Sequence, residues 1–342
     1  MKIHQKYMKR CLELAKNGLP AAMPNPSVGA VIVYDGKIIG EGYTSAYGGP
    51  HAEVNAINAV KDKTLLRQST LYVSLEPCSH FGKTPPCCDL IIKHQIPTVI
   101  VGTTDTNSKV SGAGIRKIID SGQEVIVGVL EQECIELNRR FFTFHNKKRP
   151  YIILKWAESQ DGFIAPTAEF RKAVEAGARK PFWISNAFSR QLVHQWRSEE
   201  QAILVGTQTV IDDNPRLDVR DWTGRNPVKI VLDQHHRISK ENYIFENTSK
   251  TFVLTANEID YTKNIGKQIA DFLFQHEIQS VIIEGGRRTL QTFIDENLWD
   301  EARVFRGTVF IENGIKAPHL EAKAILRKSI IDDELLIFRN HD

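Results

Sequence analysis

The sequence predicts an α/β protein built from two domains. Its 342 residues exceed the size at which a chain usually keeps a single hydrophobic core. Short apolar runs typical of strands alternate with helical patterns along both halves, which favours sheets flanked by helices. A charged stretch at residues 146–150 separates the halves, so we expect one domain at residues 1–146 and another at residues 150–342.

The first half begins with a helical pattern that ends near Asn17-Gly18, followed by two strand-like runs joined by Asp35-Gly36. An Asp-Gly pair between apolar runs is a strong signal for a hairpin. Residues 48–50 (Gly-Gly-Pro) then break the chain, and a helix is expected from His51. The remaining expected elements are strands at 71–75, 98–102 and 125–129 and helices at 89–94 and 112–121. This alternation predicts a three-layer α/β domain.

The second half is also rich in predicted strands. They lie at residues 151–156, 202–206, 229–232, 251–255, 280–284 and 301–305, with a helix expected at 185–200. Residues 166–182, rich in Ala, Glu, Arg and Lys, are expected to form a surface excursion. No Gly-x-Gly-x-x-Gly follows a strand, so a Rossmann dinucleotide site is not supported.

Composition and charge exclude several functional classes. A formal net charge of +3, with no basic tract beyond residues 147–149, argues against a nucleic-acid partner. Five cysteines in so long a chain do not resemble a disulfide framework. The N-terminus lacks a signal-peptide pattern, and no run approaches the ~18 apolar residues of a membrane span. We therefore expect a cytoplasmic protein without a membrane partner.

His51, Glu53, Cys78 and Cys87 form a pattern typical of a catalytic zinc site. One His and two Cys leave a tetrahedral position open for water, as catalytic zinc requires. We expect His51 and Cys78 at helix starts, where the positive helix end favours a thiolate. Glu53 would move protons without binding the metal. The reaction predicted is the hydrolytic loss of an amino group from a heterocycle.

Other interpretations of these residues remain open. His51 could cap a helix with Glu53 solvated and the cysteines in a core, or Cys88 or His80 could close a structural four-ligand zinc site. The spacing Cys-x8-Cys differs from the common Cys-x2-Cys of deaminases. Cys88 therefore competes for the second thiol position, although we prefer Cys87. Glu76, at a strand end, is a less suitable base than Glu53.

The segment between the two thiols resembles the deaminase domain of the bifunctional riboflavin-biosynthesis deaminase–reductases. The matching motifs are residues 24–29 (Pro-Asn-Pro-Ser-Val-Gly), 51–53 (His-Ala-Glu), 75–78 (Leu-Glu-Pro-Cys), 105–107 (Asp-Thr-Asn) and 112–114 (Gly-Ala-Gly). The resemblance implies a cytidine-deaminase-like fold and a pyrimidinone substrate that carries a ribose 5′-phosphate. It also implies substrate contacts from Asn25, His80, Lys83, Asp105 and Asn107. A phosphate dianion needs cationic or N–H donors, and Lys83 would supply one.

In the second half, a buried-type strand, a glycine pair and a helix start at residues 281–290 can cradle a pyrophosphate, although alone this signal is weak. The half resembles the reductase part of the same family. The matching residues are 159–162, 183–185, 197, 202–206, 209, 212–217, 220 and 284–286. The resemblance implies a dihydrofolate-reductase-like fold and an NADPH-dependent reduction of a ribosylamino to a ribitylamino group.

Two sets of reductase residues are implied by this resemblance. The implied cofactor-binding residues are Glu158, Trp183, Thr209, Asp213, Gly286, Arg287, Thr289 and Leu290. The implied substrate-binding residues are Arg197, Leu217, Arg220 and Glu284. The Glu158 carboxylate would either repel the cofactor phosphates or point outward. Asp161 and Glu284 are the nearest candidates for an acid or base.

We therefore expect a cytoplasmic, homo-oligomeric enzyme of riboflavin biosynthesis, a zinc-dependent hydrolase and an NADP-dependent oxidoreductase in one chain. Its small-molecule partner would be a phosphorylated pyrimidine, first deaminated and then reduced. The alternatives are a deaminase with an inactive reductase half, a nucleic-acid base deaminase with an accessory domain, and a non-enzymatic zinc-stabilised ligand-binding protein.

Overall fold

The computed structural model describes residues 2–81, 85–105, 112–167, 182–246 and 249–340. The chain separates into two compact units, residues 1–148 and 149–342. The predictions for Lys83 and Asn107, and for most of the excursion at 166–182, lie outside the described residues. Within the described ranges, no helix has both the length and the apolar character needed to span a membrane.

The first unit is built on a five-stranded sheet. Its strands are β1 (Gly29–Tyr34), β2 (Lys37–Tyr43), β3 (Thr70–Leu75), β4 (Thr98–Thr103) and β5 (Glu124–Val127), in the order β2-β1-β3-β4-β5. The β1 strand is antiparallel to both neighbours, whereas β3, β4 and β5 run parallel. Asp35 and Gly36 join β1 to β2 with φ of 49° and 69°, the left-handed pair that a tight two-residue hairpin needs.

Helices cover both faces of this sheet. They are α1 (Lys2–Lys16), α2 (Ala52–Ala59), α3 (Cys87–Lys93), α4 (Ala113–Asp120), α5 (Glu131–Leu137) and α6 (Arg139–Lys147). The buried residues of α1 and α5 pack with Val31, Tyr72 and Ile100 on one face. The other face packs against α2, α3 and α4. The unit is therefore the three-layer α/β domain that the alternation predicts.

The second unit contains an eight-stranded sheet in the order β10-β9-β8-β11-β6-β12-β15-β14. Its strands are β6 (Tyr151–Glu158), β8 (Ala202–Gly206), β9 (Val228–Leu232), β10 (Thr251–Leu254), β11 (Ser280–Ile283), β12 (Glu301–Arg306), β14 (Ala324–Ile330) and β15 (Asp333–Arg339). A small separate sheet pairs β7 (Phe163–Pro166) with β13 (Gly314–Lys316). All pairs from β10 to β12 are parallel, and β15 and β14 add an antiparallel edge.

In the described part of this unit, the large sheet is flanked by helices α7 (Ala187–Glu199), α8 (Thr207–Asp213), α9 (Ile265–Gln275) and α10 (Arg287–Asp295). Buried residues of α9 and α10 pack on one face, and those of α7 and α8 pack on the other. The carboxyl ends of the adjacent strands β6, β11 and β8 therefore meet at one edge. In open α/β sheets this edge is where ligands bind.

The predicted strands correspond to β1–β6 and β8–β12, whereas β7, β13, β14 and β15 were not predicted. Most side chains of β14 are exposed and leave no buried apolar run to recognise, and β7 and β13 are short. The β15 strand, with Leu335 and Leu336 buried, was missed. The β5 strand ends at Val127 rather than at residue 129, because Gly128 turns the chain with φ of 93°.

Candidate active sites

Three side chains of the first unit form a cluster with the geometry of a zinc site. His51 immediately precedes α2, Cys78 follows β3 in a loop, and Cys87 is the first residue of α3. The Nδ1 atom of His51 lies 3.5 Å from Cys78 Sγ and 3.4 Å from Cys87 Sγ. A tetrahedral zinc ion with ordinary Zn–S and Zn–N distances separates its nitrogen and sulfur ligands by about 3.6 Å. The three donors therefore fit zinc.

The position of Cys78 differs from the expectation. Cys78 does not begin a helix, because its loop extends to Pro86 and Cys87 occupies the first position of α3. The positive end of α3 still acts on the sulfur, since the backbone N–H of Cys87 donates to Cys78 Sγ at 3.3 Å. A hydrogen bond from Cys87 is the largest influence on the Cys78 thiol and lowers its pKa. Burial opposes this effect and a hydrogen bond from His51 adds to it, so that the pKa is about 4. A thiolate is the form that binds a metal.

Cys88 lies outside this cluster. It is fully buried among apolar residues of the core, and its sulfur faces the Asp89 carboxylate at 3.7 Å. Its backbone N–H donates to the carbonyl oxygen of Cys78 at 3.2 Å. Cys88 therefore packs and supports the loop, and among the described residues the metal-type cluster contains Cys87 instead.

Glu53 is a buried carboxylate beside these ligands. It lies in the first turn of α2, close to His51 in the chain, and is only 4% exposed. Burial, together with the negative charge of Cys78, raises the pKa of Glu53 to about 7. A carboxyl group with a pKa near 7 can both accept and return a proton at neutral pH.

Glu76 is also buried, but its carboxylate accepts hydrogen bonds from backbone N–H groups. It accepts hydrogen bonds from the N–H groups of Asp105 at 3.2 Å, Gly112 at 3.0 Å and Gly114 at 3.1 Å. A Cβ atom on Gly114 would lie 2.0 Å from the Pro77 carbonyl oxygen, so a side chain there would displace this turn. Glu76 therefore fixes the chain after β4 and is not a free base. Sequence pattern carried no signal for this role.

Two of the other predicted deaminase residues, Asn25 and Asp105, lie at the same edge of the sheet as Cys78. Because β3 and β4 are parallel, Cys78 and Asp105 come after strands that end on the same side. The antiparallel pairing of β1 with β3 brings the loop that contains Asn25 to that side as well. His80 is exposed in the loop after Cys78.

In the second unit, Glu284 lies directly after β11 in a buried ion cluster. Arg197 of α7 donates to its two oxygens from Nε at 3.1 Å and from Nη2 at 2.8 Å. Lys155 of β6 places its Nζ 3.7 Å from Glu284 Oε2. Burial alone would raise the pKa of Glu284, but Arg197 and Lys155 lower it to about 2. Lys155 was not predicted; its only signal is a lysine among the apolar residues of β6 that precede Glu158.

The glycine turns after β8 and β11 lie against each other. A Cβ atom on Gly206 would be 2.7 Å from Thr289 Oγ1, and one on Gly286 would be 3.6 Å from Thr209 Oγ1. Each turn opens a helix whose first N–H groups have no partner within the helix. Three of the predicted cofactor residues, Thr209, Gly286 and Thr289, therefore meet at a place suited to a pyrophosphate.

Two leucines with predicted ligand contacts have buried side chains. Leu290 is fully buried and packs in the hydrophobic core. Leu217 is 3% exposed and packs with Val210 and Ile244. The backbone of Leu217 has φ of 53°, which is uncommon for a branched residue. Only its main chain can face a substrate.

The charge of Glu158 is balanced within the protein. Arg306 donates to Glu158 Oε1 from Nε at 3.0 Å and from Nη2 at 2.8 Å, and Trp156 Nε1 donates to Oε2 at 3.0 Å. A carboxylate paired in this way does not repel a phosphate as a free one would. Asp161 is similarly occupied, because it accepts from the Ser159 hydroxyl and from the N–H of Glu312.

The remaining predicted reductase residues lie at or near the surface. Trp183 is 52% exposed and stacks under the Arg190 guanidinium at 4.6 Å. Arg220 donates to Asp218 Oδ1 at 2.6 Å. Asp213 ends α8, and Arg287 is exposed at the start of α10.

The fold and these sites define a two-domain enzyme, with a zinc-type hydrolase site on a three-layer unit and a nucleotide-type cradle on a second. Residues 1–103 match the family model for the cytidine and deoxycytidylate deaminase zinc-binding region. Residues 150–314 match the model for the RibD C-terminal domain. The riboflavin biosynthesis protein RibD of Aquifex aeolicus is 39% identical over 98% of each chain. The chain belongs to the RibD family of riboflavin-biosynthesis proteins.

Solved structures agree with this membership. A deaminase/reductase from Thermotoga maritima matches with a TM-score of 0.87 and 38% identity over 99% of both chains. RibD of Acinetobacter baumannii matches with a TM-score of 0.86 and 29% identity, covering all of this chain and 99% of its own.

Membership confirms the predicted fold class, a cytidine-deaminase-like domain followed by a dihydrofolate-reductase-like one. It also confirms a bifunctional deaminase and reductase of riboflavin biosynthesis, with zinc and NADPH as cofactors. A nucleic-acid base deaminase and a reductase-inactive protein are not favoured.

Proposed function

We propose that the chain carries out both reactions that the Thermotoga maritima protein has in its name. The first unit would deaminate diaminohydroxyphosphoribosylaminopyrimidine, and the second would reduce 5-amino-6-(5-phosphoribosylamino)uracil with NADPH. The observation that carries the proposal is the cluster of His51, Cys78 and Cys87 with buried Glu53 beside it in the first turn of α2.

In the deaminase, His51, Cys78 and Cys87 would hold the zinc ion. Bound there, zinc would supply a Lewis acid that makes water nucleophilic near neutral pH. A Glu53 carboxylate oxygen takes a proton from the attacking water and gives it to the amino nitrogen that leaves as ammonia. Its burial and its raised pKa suit both transfers.

Substrate recognition in the deaminase is assigned to polar residues at the same sheet edge. Asn25 and Asp105 would bind the pyrimidine, and His80 would contact the base or the phosphate. Lys83 and Asn107, outside the described residues, keep the roles that the family resemblance implies. Glu76 supports this set by holding the backbone at Asp105.

In the reductase, the turns around Gly286 and Thr209 would bind NADPH, which supplies the hydride for the ribose C1′ carbon. Arg197 and Arg220 would bind the phosphorylated substrate, with Glu284 fixed by its bidentate contact to Arg197. We assign proton donation to the ribose ring oxygen to Lys155. Burial lowers the pKa of this ammonium, which makes it a stronger acid than a solvated lysine.

The test supplies zinc-loaded protein with the phosphorylated diaminopyrimidine, with and without NADPH. Without NADPH we expect ammonia and the aminouracil product. With NADPH we expect its oxidation in equal amount and the ribitylamino product, identified by mass spectrometry. Protein that releases no ammonia contradicts the deaminase, and ammonia release without NADPH oxidation contradicts the reductase alone.

We also propose that the enzyme works in the cytoplasm as a homo-oligomer. The free state of all five cysteines fits a reducing compartment. The edge strand β14 exposes Ile325 by 53% and Leu326 by 50%, an apolar surface of the kind that subunits cover. Light scattering of the purified protein gives the mass; a monomer at micromolar concentration contradicts the oligomer.

A further inference from the structure

His194 is a buried histidine to which neither motif nor resemblance gave a role. It lies on α7, is 4% exposed, and has a partner at each ring nitrogen. Its Nδ1 is 2.9 Å from the carbonyl oxygen of Asp218, and its Nε2 is 3.1 Å from Asp221 Oδ2. A carbonyl oxygen can only accept, so Nδ1 carries a hydrogen.

The same carbonyl oxygen has a second donor from the same helix. Arg197, one turn further along α7, donates from Nη1 to the carbonyl oxygen of Asp218 at 3.2 Å. Its other two nitrogens donate to the Glu284 carboxylate. The Asp218 carboxylate in turn accepts from Arg220 at 2.6 Å. We call residues 217–221 the substrate segment. The position of Arg220 therefore depends on how this segment is held against α7.

The second ring nitrogen makes this anchor sensitive to protonation. Because Nδ1 already holds a hydrogen, Nε2 can donate to Asp221 only when the ring is an imidazolium. The charged groups around the ring are Arg197 on its own helix, Arg220 and Asp221 on the substrate segment, and Glu284 after β11. Burial, followed by Arg197 and Arg220, lowers the pKa of His194, while Asp221 opposes that change.

We infer that His194 is a positioning residue of the reductase, which holds the substrate segment by one hydrogen bond when neutral and by an added ion pair with Asp221 when protonated. The inference rests on the proposed role of Arg220 in binding substrate. Below the pKa of His194 the segment is held at both points. As pH rises through that pKa the contact to Asp221 is lost, so KM for the phosphorylated ribosylaminouracil increases while kcat changes little.

The test measures reductase kinetics between about pH 5 and pH 8 for variants of the full-length protein. Gln191→Ala is the control, since Gln191 is exposed on the same helix. His194→Ala should raise KM about tenfold at high pH, because the Asp218 carbonyl keeps Arg197 but loses one of its two donors, and by more at low pH, where the ion pair with Asp221 is lost as well. His194→Asn places an amide N–H where Nδ1 lies but cannot titrate. It should restore the high-pH KM and lack the decrease at low pH.

Asp221→Asn should also lose the decrease at low pH and keep the high-pH KM. Each KM is divided by that of Gln191→Ala at the same pH, so that titration of the substrate phosphate, with a pKa near 6, cancels. Because the control keeps His194, a variant that lacks the low-pH decrease gives a ratio that rises as pH falls.

Three results overturn the inference. If the His194 variants match the control in KM while Arg220→Ala raises KM, the positioning role is wrong and the substrate site stands. If Arg220→Ala leaves KM unchanged, the site assignment falls and the inference falls with it. If His194→Ala and His194→Asn lose kcat and thermal stability equally at every pH, His194 serves folding alone.

Discussion

Glu53 and Glu76 are two buried carboxylates near the same metal-type cluster, and their partners give them different chemistry. Burial and the negative charge of Cys78 raise the pKa of Glu53 to about 7, although hydrogen bonds from the backbone and from Cys87 act in the opposite direction, and Glu53 is left able to move protons. Glu76 accepts three backbone N–H groups and is committed to structure. Burial alone therefore does not identify a catalytic acid; the groups around the carboxylate distinguish the two roles.

Replacing Glu53 with Gln tests the proton transfer. We expect ammonia release to fall by roughly 10²–10⁴-fold, because the amide cannot accept and return a proton. Bound zinc, measured by atomic absorption, should be unchanged since Glu53 is not a ligand. Reduction of supplied aminouracil is the internal control. Normal ammonia release by this variant would show that another group carries the proton.

Lys155→Met removes the assigned proton donor from β6 while keeping a side chain of similar length. The reductase kcat should fall by roughly 10²-fold or more, since general acid catalysis typically contributes that much. Ammonia release should be unaffected. Loss of NADPH binding in a fluorescence titration, rather than loss of kcat, would argue for a binding role instead.

At the scale of elements, both sites depend on a carboxylate placed just beyond the carboxyl end of a strand. After β3, Glu76 holds the chain that leaves β4. After β11, Glu284 ties the strand to α7 through Arg197. Each is a single carboxylate that joins segments distant in sequence, so its loss should affect substrate binding more than the chemical step.

For the first unit, Glu76→Gln keeps the shape of the side chain but replaces one acceptor oxygen with an NH₂ group that faces backbone N–H donors. We expect the deaminase KM to rise about tenfold through loss of these charge-assisted bonds, with zinc content retained. The exposed carboxylate variant Asp120→Asn, on α4, is the matched control. An unchanged KM would mean that substrate binding does not depend on the hydrogen bonds from the backbone to Glu76.

For the second unit, the lowered pKa of Glu284 predicts acid sensitivity. Because its pKa falls from 4.5 to about 2 on folding, the stability it contributes is complete above pH 4.5 and is lost as pH falls toward 2. The difference in Tm between wild type and Glu284→Gln should be several degrees at pH 7 and shrink over that interval. All five tryptophans lie between residues 156 and 299, so tryptophan fluorescence reports on this unit alone. A Tm difference independent of pH would contradict the assignment.

At the scale of the whole molecule, each unit has its own sheet and its own hydrophobic clusters. The metal-type cluster lies in residues 1–148 and the glycine cradle in residues 149–342. Removing zinc should therefore affect one activity only.

We expect a chelator to abolish ammonia release and to leave reduction of supplied aminouracil within about twofold, because the reductase residues lie in a separate unit. Zinc added back should restore the deaminase, whereas magnesium, which prefers oxygen ligands, should not. Equal loss of both activities would show that the metal supports the whole chain.

The extent of sequence-based prediction depends on which features leave a local pattern. Most strands and the Asp35-Gly36 hairpin leave local signals, so the bounds of β1–β6 and β8–β12 were predicted to within about two residues, although the buried strand β15 was missed. The members of the metal-type cluster, His51, Cys78 and Cys87, also follow from sequence, since their types and order carry chemistry. Side-chain contacts between segments that are distant in sequence produce no local sequence pattern. Lys155 with Glu284, and His194 with Asp218, become visible only when the sheet and α7 bring them together.

Cys87 contributes to the metal-type cluster twice, once through its sulfur and once through the main-chain N–H that it donates to Cys78. A thiolate that shares its lone pair with an N–H gives less electron density to a metal, which leaves the ion more electron-poor. That donor belongs to the backbone, so no exchange of side chains in the preceding loop removes it. Side-chain exchanges in that loop should therefore leave the hydrogen bond from Cys87 to Cys78, and its effect on the sulfur, in place.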